Sequence, residues 1–160
     1  MAANDSQADI KALLEKSNCA ACHGNTGVSV NDEWPNIAGQ NFELLRKELK
    51  EFRDGRRTNP LMSPVAKSLS DAEIDLLADY FSAQRPSVGK GNPLAPDATR
   101  HEEAKMLSGT CMGCHGPDGI SRKPDWAPNL AGQKRGYLLQ QFKNFRDGTR
   151  GGEFMPPTVY

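Results

Sequence analysis

Apolar side chains recur at helical spacing in three stretches of the first half of the chain. The third stretch has the clearest start, because Ser70 and Glu73 have the spacing of a capping box and Leu69 can contact Ile74 across it. Pro86 follows its end. The stretches span residues 7–22, 41–53 and 70–83. Together they predict an all-α fold.

The same pattern starts again in the second half. Residues 35–40 (PNIAGQ) return as residues 128–133 (PNLAGQ), and residues 52–55 (FRDG) return as residues 145–148, both at an offset of 93. The chain is therefore an internal repeat. The apolar face of the second stretch is predicted to pack in both halves, with Leu45, Leu49 and Phe52 matched by Leu138, Phe142 and Phe145.

The composition between the two copies indicates a linker. Residues 86–97 are rich in proline and glycine, which is typical of a partly stiff, extended connection. We expect one domain over residues 1–85 and a second over residues 98–160. The capped helix of residues 70–83 would recur near 163–176, so the second domain is expected to lack its last helix within this sequence.

The pentapeptide C-x-x-C-H occurs twice, at residues 19–23 and 111–115, and uses all four cysteines. This is the attachment signature of c-type haem. Two residues between the cysteines let both sulfurs reach the vinyl groups on one porphyrin edge, and the next residue places its imidazole below the iron. The residues predicted to bind two haem c groups are Cys19, Cys22, His23, Cys111, Cys114 and His115.

Other uses of four cysteines explain the pattern less well. A four-cysteine zinc site would not require a histidine directly after each pair. A redox dithiol would sit in a βαβ pattern, which is not visible here. Disulfides could form in an oxidising compartment, but they would leave both histidines unexplained.

Two methionines follow the haem motifs at matching distances. Met62 lies 39 residues after His23, and Met155 lies 40 residues after His115. Prolines flank both, which stiffens a loop that holds a weak thioether ligand. We expect Met62 and Met155 to be the second axial iron ligands, which suits electron transfer. The alternative for each is a flexible methionine of the core.

Charge and hydropathy exclude some classes of protein. The 160 residues carry 20 basic and 20 acidic side chains and have a mean hydropathy of −0.65. No basic excess points to nucleic acid, and no apolar run approaches the roughly 18 residues of a membrane span. No signal peptide is visible in residues 1–5. Because haem c is attached outside the bacterial cytoplasm, a periplasmic location with a removed export signal is expected.

The charges are unevenly divided between the halves. Residues 1–85 have 10 basic and 13 acidic side chains, whereas residues 86–160 have 10 and 7. One hypothesis is that the basic half steers an acidic redox partner through Arg122, Lys123, Lys134 and Arg135. The alternative is scattered, solvated charge.

With these motifs in hand, the chain resembles the diheme cytochrome c4 family, built from two class I cytochrome c domains. The resemblance covers essentially the whole chain. It implies two covalently bound haem c groups, and electron transfer in the periplasm toward a haem–copper terminal oxidase or from a quinol-oxidising complex, with association at a membrane surface left open. It also implies that the carbonyls of Pro35 and Pro128 accept hydrogen bonds from His23 and His115.

Three functions remain open at this point. The first is a diheme electron carrier without catalytic residues. The second is a diheme subunit docked on a flavocytochrome dehydrogenase of the sulfide-oxidising type. The third is a diheme peroxidase or gas-binding enzyme, which would need an iron with an open sixth position; Met62 and Met155 argue against it.

Overall fold

The computed structural model describes residues 2–87, 103, 105–123, 126–151 and 155, with residues 2–8 described by their backbone alone. Helices account for the regular structure, and no strand occurs in these ranges. The helices with described bounds are α1 (Ala2–Ser17), α2 (Cys19–His23), α3 (Phe42–Arg53), α4 (Met62–Lys67), α5 (Asp71–Ser82), α6 (Met112–His115) and α7 (Arg135–Arg146). Residues 105–108 are helical as well. The prediction of an all-α fold is confirmed.

The first predicted helix is divided in two. A single helix over residues 7–22 is wrong, because α1 ends at Ser17 and Asn18 adopts a left-handed conformation with φ of 49°. Asparagine tolerates this conformation better than most residues. The break gives the haem motif its own short helix, α2, instead of placing it on the last turn of α1.

The first half has a hydrophobic core of its own, made by α1, α5 and the turn before α5. Its buried members are Ile10, Leu13, Leu69, Ile74, Leu77 and Phe81. The capping box at the start of α5 is confirmed: the Glu73 N–H donates to Ser70 Oγ at 3.2 Å, and the Ser70 N–H donates to Glu73 Oε2 at 2.8 Å. The box fixes where α5 begins, so that its apolar face meets α1 and α3.

A short helix lies within the predicted methionine loop. The side chain of Asn59 accepts hydrogen bonds from the N–H groups of Leu61 at 2.9 Å and Met62 at 3.0 Å, which starts α4 at Met62. Pro64 is the third residue of α4, in the first turn, where a proline removes no helical hydrogen bond. Met62 is therefore held by a capped helix end as well as by prolines.

Helix α7 repeats α3 at the predicted offset, since both of its ends lie 93 residues further along the chain. Phe145 is buried like Phe52, but Phe142 is 39% exposed and Leu139 is 49% exposed. The prediction that the whole apolar face packs in the second half is therefore wrong for Phe142. In the first half α5 packs on α3, and the described part of the second half has no helix in that place.

The start of α7 is completed by the first half. The carboxylate of Asp32 accepts the Gly136 N–H at 2.8 Å, and its backbone carbonyl accepts the Tyr137 N–H at 2.9 Å. A carboxylate is favourable at the positive end of a helix. Asn41 immediately precedes α3, and its side chain donates to the Ala127 carbonyl at 3.0 Å and does not cap α3. Hydrogen bonds at the starts of α3 and α7 therefore connect the two halves.

The predicted linker over residues 86–97 lies outside the described residues apart from its first two positions. The division into domains at residues 1–85 and 98–160 stays a prediction.

We predict that Glu73 makes the first half acid-sensitive. The nearby Lys16 ammonium and the Ser70 cap lower the pKa of Glu73 to about 2. Because an unfolded glutamate has a pKa of about 4.3, its stabilising contribution is full above that pH and is lost as the pH falls toward about 2. The free energy of unfolding, measured by urea titration from neutral to acid pH, should fall less for Glu73→Gln than for the unchanged protein.

Glu15→Gln is the matched control for this experiment, because Glu15 is an exposed residue of α1 beside Lys16. Its acid dependence should follow that of the unchanged protein. An acid dependence of Glu73→Gln identical to that of Glu15→Gln would contradict the role given to Glu73.

Candidate haem sites

A single cavity of about 1030 Å³ lies between the two halves. Its volume is at the upper end of the roughly 300–1,000 Å³ typical of pockets for one small molecule. All the predicted haem-binding side chains line it: Cys19, Cys22, His23, Met62, Cys111, Cys114, His115 and Met155. The fold thus brings two sets of four residues, about 90 positions apart in the sequence, to one space.

The cysteines are arranged as covalent attachment requires. Cys19 and Cys22 are three residues apart on α2, and residues at this spacing share one helical face. None of the four cysteines forms a disulfide, and all four are half-buried at the cavity wall. Burial raises the pKa of the Cys19 thiol. Cysteines held side by side and unpaired fit two thioether bonds to one porphyrin edge better than they fit disulfides.

Both histidines are buried and oriented by a carbonyl. His23 Nδ1 lies 2.9 Å from the Pro35 carbonyl oxygen, and His115 Nδ1 lies 2.8 Å from the Pro128 oxygen. Because a carbonyl can only accept, Nδ1 carries a proton in both rings, which leaves Nε2 as the nitrogen that can bind a metal. Burial lowers the pKa of His23, which favours the neutral imidazole that a metal needs. These rings therefore fit an iron bound at Nε2.

The two methionines lie on the cavity wall as well. Met62 opens α4 and is half-buried, and Met155 is half-buried in the second half. Both thioethers therefore belong to the same space as the two imidazoles. The residues present fit two haem c groups, each offered two cysteines, one histidine and one methionine.

The glycine after each histidine lets the chain turn sharply. Gly24 and Gly116 have φ of 75° and 78°, which a residue with a Cβ rarely adopts. A Cβ at Gly24 would lie 2.3 Å from the Val28 carbonyl oxygen, and one at Gly116 would lie 2.1 Å from that of Ile120. The turn brings the following loop back beside the histidine.

Serine and asparagine side chains join this loop to the haem motif. Ser29 Oγ donates to the Cys22 carbonyl at 2.9 Å, and its N–H donates to Asn36 Oδ1 at 2.9 Å. The second half repeats both bonds through Ser121, which reaches the Cys114 carbonyl at 3.1 Å and Asn129 at 2.9 Å. We did not identify these residues from the sequence, although Ser29 recurs 92 residues further on, as the cysteines do, and Asn36 recurs at the repeat offset of 93.

A cluster of charged and polar side chains at the cavity wall joins the two halves, and we did not predict it from the sequence. Glu48 pairs with Arg57 of its own half and with Arg150 of the other half, the latter at 2.6 Å. Gln141 accepts hydrogen bonds from the same two guanidiniums, at 3.0 Å from Arg57 and 2.8 Å from Arg150. Arg150 and Gln141 stand at the repeat positions of Arg57 and Glu48, so the cluster is symmetric except that one half has a carboxylate and the other an amide.

Because the cluster is mostly buried, its two arginines need the negative charge of its one carboxylate, Glu48. Arg57, Glu48 and Arg150 are only 12%, 19% and 15% exposed. Burial alone would raise the pKa of Glu48, but the two guanidiniums outweigh it and hold this pKa below its usual value. Each guanidinium also lies over a phenylalanine ring, with Arg57 4.4 Å from the centre of Phe52. Glu48 is thus the counter-charge that allows two arginines to be buried between the halves.

We predict that Glu48→Gln destabilises the holoprotein by about 2 kcal/mol, because it leaves two partly buried guanidiniums without a carboxylate. Asp147→Asn is the control, since its pair with Arg146 is exposed and should contribute less than about 1 kcal/mol. Urea unfolding at neutral pH measures both. Equal losses for the two variants would contradict the role of Glu48.

The described residues show neither a metal-ion cluster nor a membrane-spanning helix. Among the side chains that the structure describes, no three from His, Cys, Asp and Glu gather as a metal-ion site, so the four-cysteine zinc alternative has no geometric support. No helix in the described ranges is long and apolar enough to cross a membrane.

Known proteins resemble this chain along most of its length. The family model for the cbb3-type cytochrome c oxidase subunit III matches residues 5–81. Cytochrome c4 of Pseudomonas aeruginosa is 36% identical over 136 residues, covering 82% of this chain and 68% of that protein. A protein of Thiomonas intermedia named thiosulfate dehydrogenase electron acceptor is 36% identical over 148 residues, covering 87% of this chain and 67% of that protein.

Structural similarity leads to the same family. The cytochrome c4 structure from Acidithiobacillus ferrooxidans superposes with a TM-score of 0.78 and 35% identity, covering 89% of this chain and 88% of that one. The similarity thus extends over both halves and both haem motifs. The chain belongs to the cytochrome c4 family of diheme electron carriers, and its cofactors are two covalently bound haem c groups.

Proposed function

We propose that this protein carries single electrons between redox proteins, with each half holding one haem c. The observation that supports this most is the shared cavity, which is lined by two complete ligand sets. His23 and Met62 are proposed as the axial ligands of one iron, and His115 and Met155 as those of the other. When bound, the haem iron supplies a centre that gains or loses one electron.

The protein residues provide attachment and orientation. Cys19 and Cys22 in the first half, and Cys111 and Cys114 in the second, are proposed to form the thioether bonds. Pro35 and Pro128 accept the Nδ1–H of the histidines, which fixes the ring direction and raises the basicity of Nε2. A methionine opposite a histidine raises the reduction potential of the iron and suits electron transfer.

A carrier fits the ligand sets better than an enzyme does. A histidine and a methionine would hold each iron, and a haem held by both would leave little room at the iron for a substrate, a peroxide or a gas. The diheme peroxidase alternative would need one methionine to be displaced. Both residue sets line the same cavity, which supports a carrier in which an electron taken up through one half would leave through the other.

The partners proposed are a quinol-oxidising complex as donor and a haem–copper terminal oxidase as acceptor, in the bacterial periplasm and at the membrane surface. The chemistry of haem attachment supports the compartment. Basic residues near the haem motif of the second half support an acidic partner, since Arg122, Lys123 and Arg135 are exposed and Lys134 is half-buried.

A second candidate has a specific observation in its favour. One relative is named as the electron acceptor of thiosulfate dehydrogenase. This protein would then take electrons from a sulfur-oxidising dehydrogenase, or act as the diheme subunit of a sulfide-oxidising flavocytochrome. Co-purification of a flavin-containing subunit would favour the flavocytochrome, and reduction by a thiosulfate dehydrogenase alone would favour the free acceptor.

We predict that Met62→Ala and Met155→Ala each leave one haem iron without its sixth ligand. The unchanged ferric protein should show the long-wavelength methionine–iron band, and its reduced form should not bind carbon monoxide. Each variant should lose about half of the band and bind about one carbon monoxide per chain, because one of its two irons has lost its sixth ligand.

Two outcomes would count against the ligand assignment. Carbon monoxide binding by the unchanged protein would favour the enzyme alternative. A full methionine band in either variant would show that another residue ligates that iron. Met106→Ala is the control, since Met106 is 76% exposed and should change neither signal.

We predict that the rate of electron transfer to an acidic partner falls as salt is added, because screening weakens steering between opposite charges. Arg122→Glu with Lys123→Glu should lower the rate at low ionic strength and flatten its salt dependence. Lys11→Glu with Lys67→Glu, two exposed changes in the first half, is the charge-matched control. A rate independent of ionic strength would exclude this steering surface.

A further inference from the structure

The two repeated loops PNIAGQ and PNLAGQ pair with each other across the halves. Gln133 Oε1 accepts the Asn36 N–H at 2.7 Å, and Gln133 Nε2 donates to the Asn36 carbonyl at 2.8 Å. In the reciprocal contact, Gln40 Oε1 accepts the Asn129 N–H at 2.8 Å, and Gln40 Nε2 donates to the Asn129 carbonyl at 3.1 Å. Each glutamine thus binds both sides of one asparagine in the other half.

The orientation of both amides is fixed by their partners. Gln133 Oε1 also accepts the Lys134 N–H at 2.9 Å, and Gln40 Oε1 also accepts the Asn41 N–H at 3.1 Å. Each oxygen therefore faces two donors and each nitrogen faces a carbonyl, which excludes the flipped amides. Gln40 and Asn36 are buried, with 9% and 7% of their surface exposed, so water competes little for these bonds.

The N–H groups that the glutamines bind belong to the peptide groups that orient the histidines. In the peptide group between Pro35 and Asn36, the oxygen accepts His23 Nδ1–H and the nitrogen donates to Gln133. In the peptide group between Pro128 and Asn129, the oxygen accepts His115 Nδ1–H and the nitrogen donates to Gln40. One planar amide therefore connects each histidine to the glutamine of the opposite half.

A hydrogen bond at one end of an amide strengthens the bond at its other end. The C–N bond is partly double, so an acceptor at N–H shifts electron density toward the carbonyl oxygen. The oxygen then becomes a better acceptor for Nδ1–H, and the imidazole becomes a stronger electron donor at Nε2. A stronger donor stabilises the ferric form and lowers the reduction potential of the iron.

We propose that Gln133 tunes the haem held by His23 and that Gln40 tunes the haem held by His115, so that each half sets the reduction potential in the other through one peptide group. This inference rests on the proposed role of the two histidines as axial ligands. The glutamines act through the peptide group and are positioning residues.

The test uses the full chain with both haems in place. In Gln133→Leu, the potential of the His23 haem should rise while that of the His115 haem stays unchanged. In Gln40→Leu, the two effects should exchange. Haem methyl signals followed by NMR through a redox titration report each potential separately. In the reduced protein, the Nδ1–H proton of the affected histidine should shift upfield as its hydrogen bond weakens.

Two further variants separate tuning from simple loss of the interface. Asn41→Ala removes the bond to the Ala127 carbonyl, which crosses the halves without touching either histidine peptide; both potentials should stay unchanged. Gln133→Glu keeps an acceptor oxygen for the Asn36 N–H and loses only the Nε2 donor to the Asn36 carbonyl; because the acceptor at the N–H carries the tuning, the potential of the His23 haem should not rise.

The outcomes distinguish this proposal from the one it rests on. If both haems keep the methionine band but Gln133→Leu moves both potentials together, moves neither, or acts no differently from Asn41→Ala, the tuning role is overturned. If the unchanged protein lacks a methionine-ligated haem in one half, the axial assignment itself has failed, whatever the glutamine variants do.

Discussion

The hydrogen bond from each buried histidine to a proline carbonyl is the interaction on which the site depends. It fixes the proton on Nδ1 and leaves Nε2 facing the cavity in both halves. The glycine turn after the haem motif and the serine–asparagine bonds hold the proline loop in place to receive that proton. The helices then serve to keep each loop beside its own haem motif.

The two halves reach this geometry by different means. The first half has a buried core that includes α1 and α5, and its capping box fixes the start of α5. The described part of the second half has few buried apolar residues, among them Ala127 and Phe145, and it is joined to the first half by hydrogen bonds and an ion pair. Asp32 caps α7, and Glu48 neutralises Arg150 across the cavity. The shared wall therefore supports both the cavity and the second half.

The sequence predicts the features that have a fixed spacing along the chain. The haem motifs, the offset between the copies and the Ser70–Glu73 box can all be found from spacing alone. The break at Asn18 could not be predicted, since a left-handed asparagine is a local choice between two allowed conformations. The partners of Asn41, Glu48 and Asp32 were missed for another reason: each lies in the other copy, and one sequence does not show how two repeats face each other.

The central claim is that one cavity holds two haems, each with a histidine and a methionine on its iron. Near-infrared magnetic circular dichroism of the unchanged ferric protein tests it most directly, because the band position distinguishes the axial ligand pairs of low-spin haem. Two histidine–methionine haems per chain are expected. A spectrum with only one such haem, or with two histidines on either iron, would contradict it.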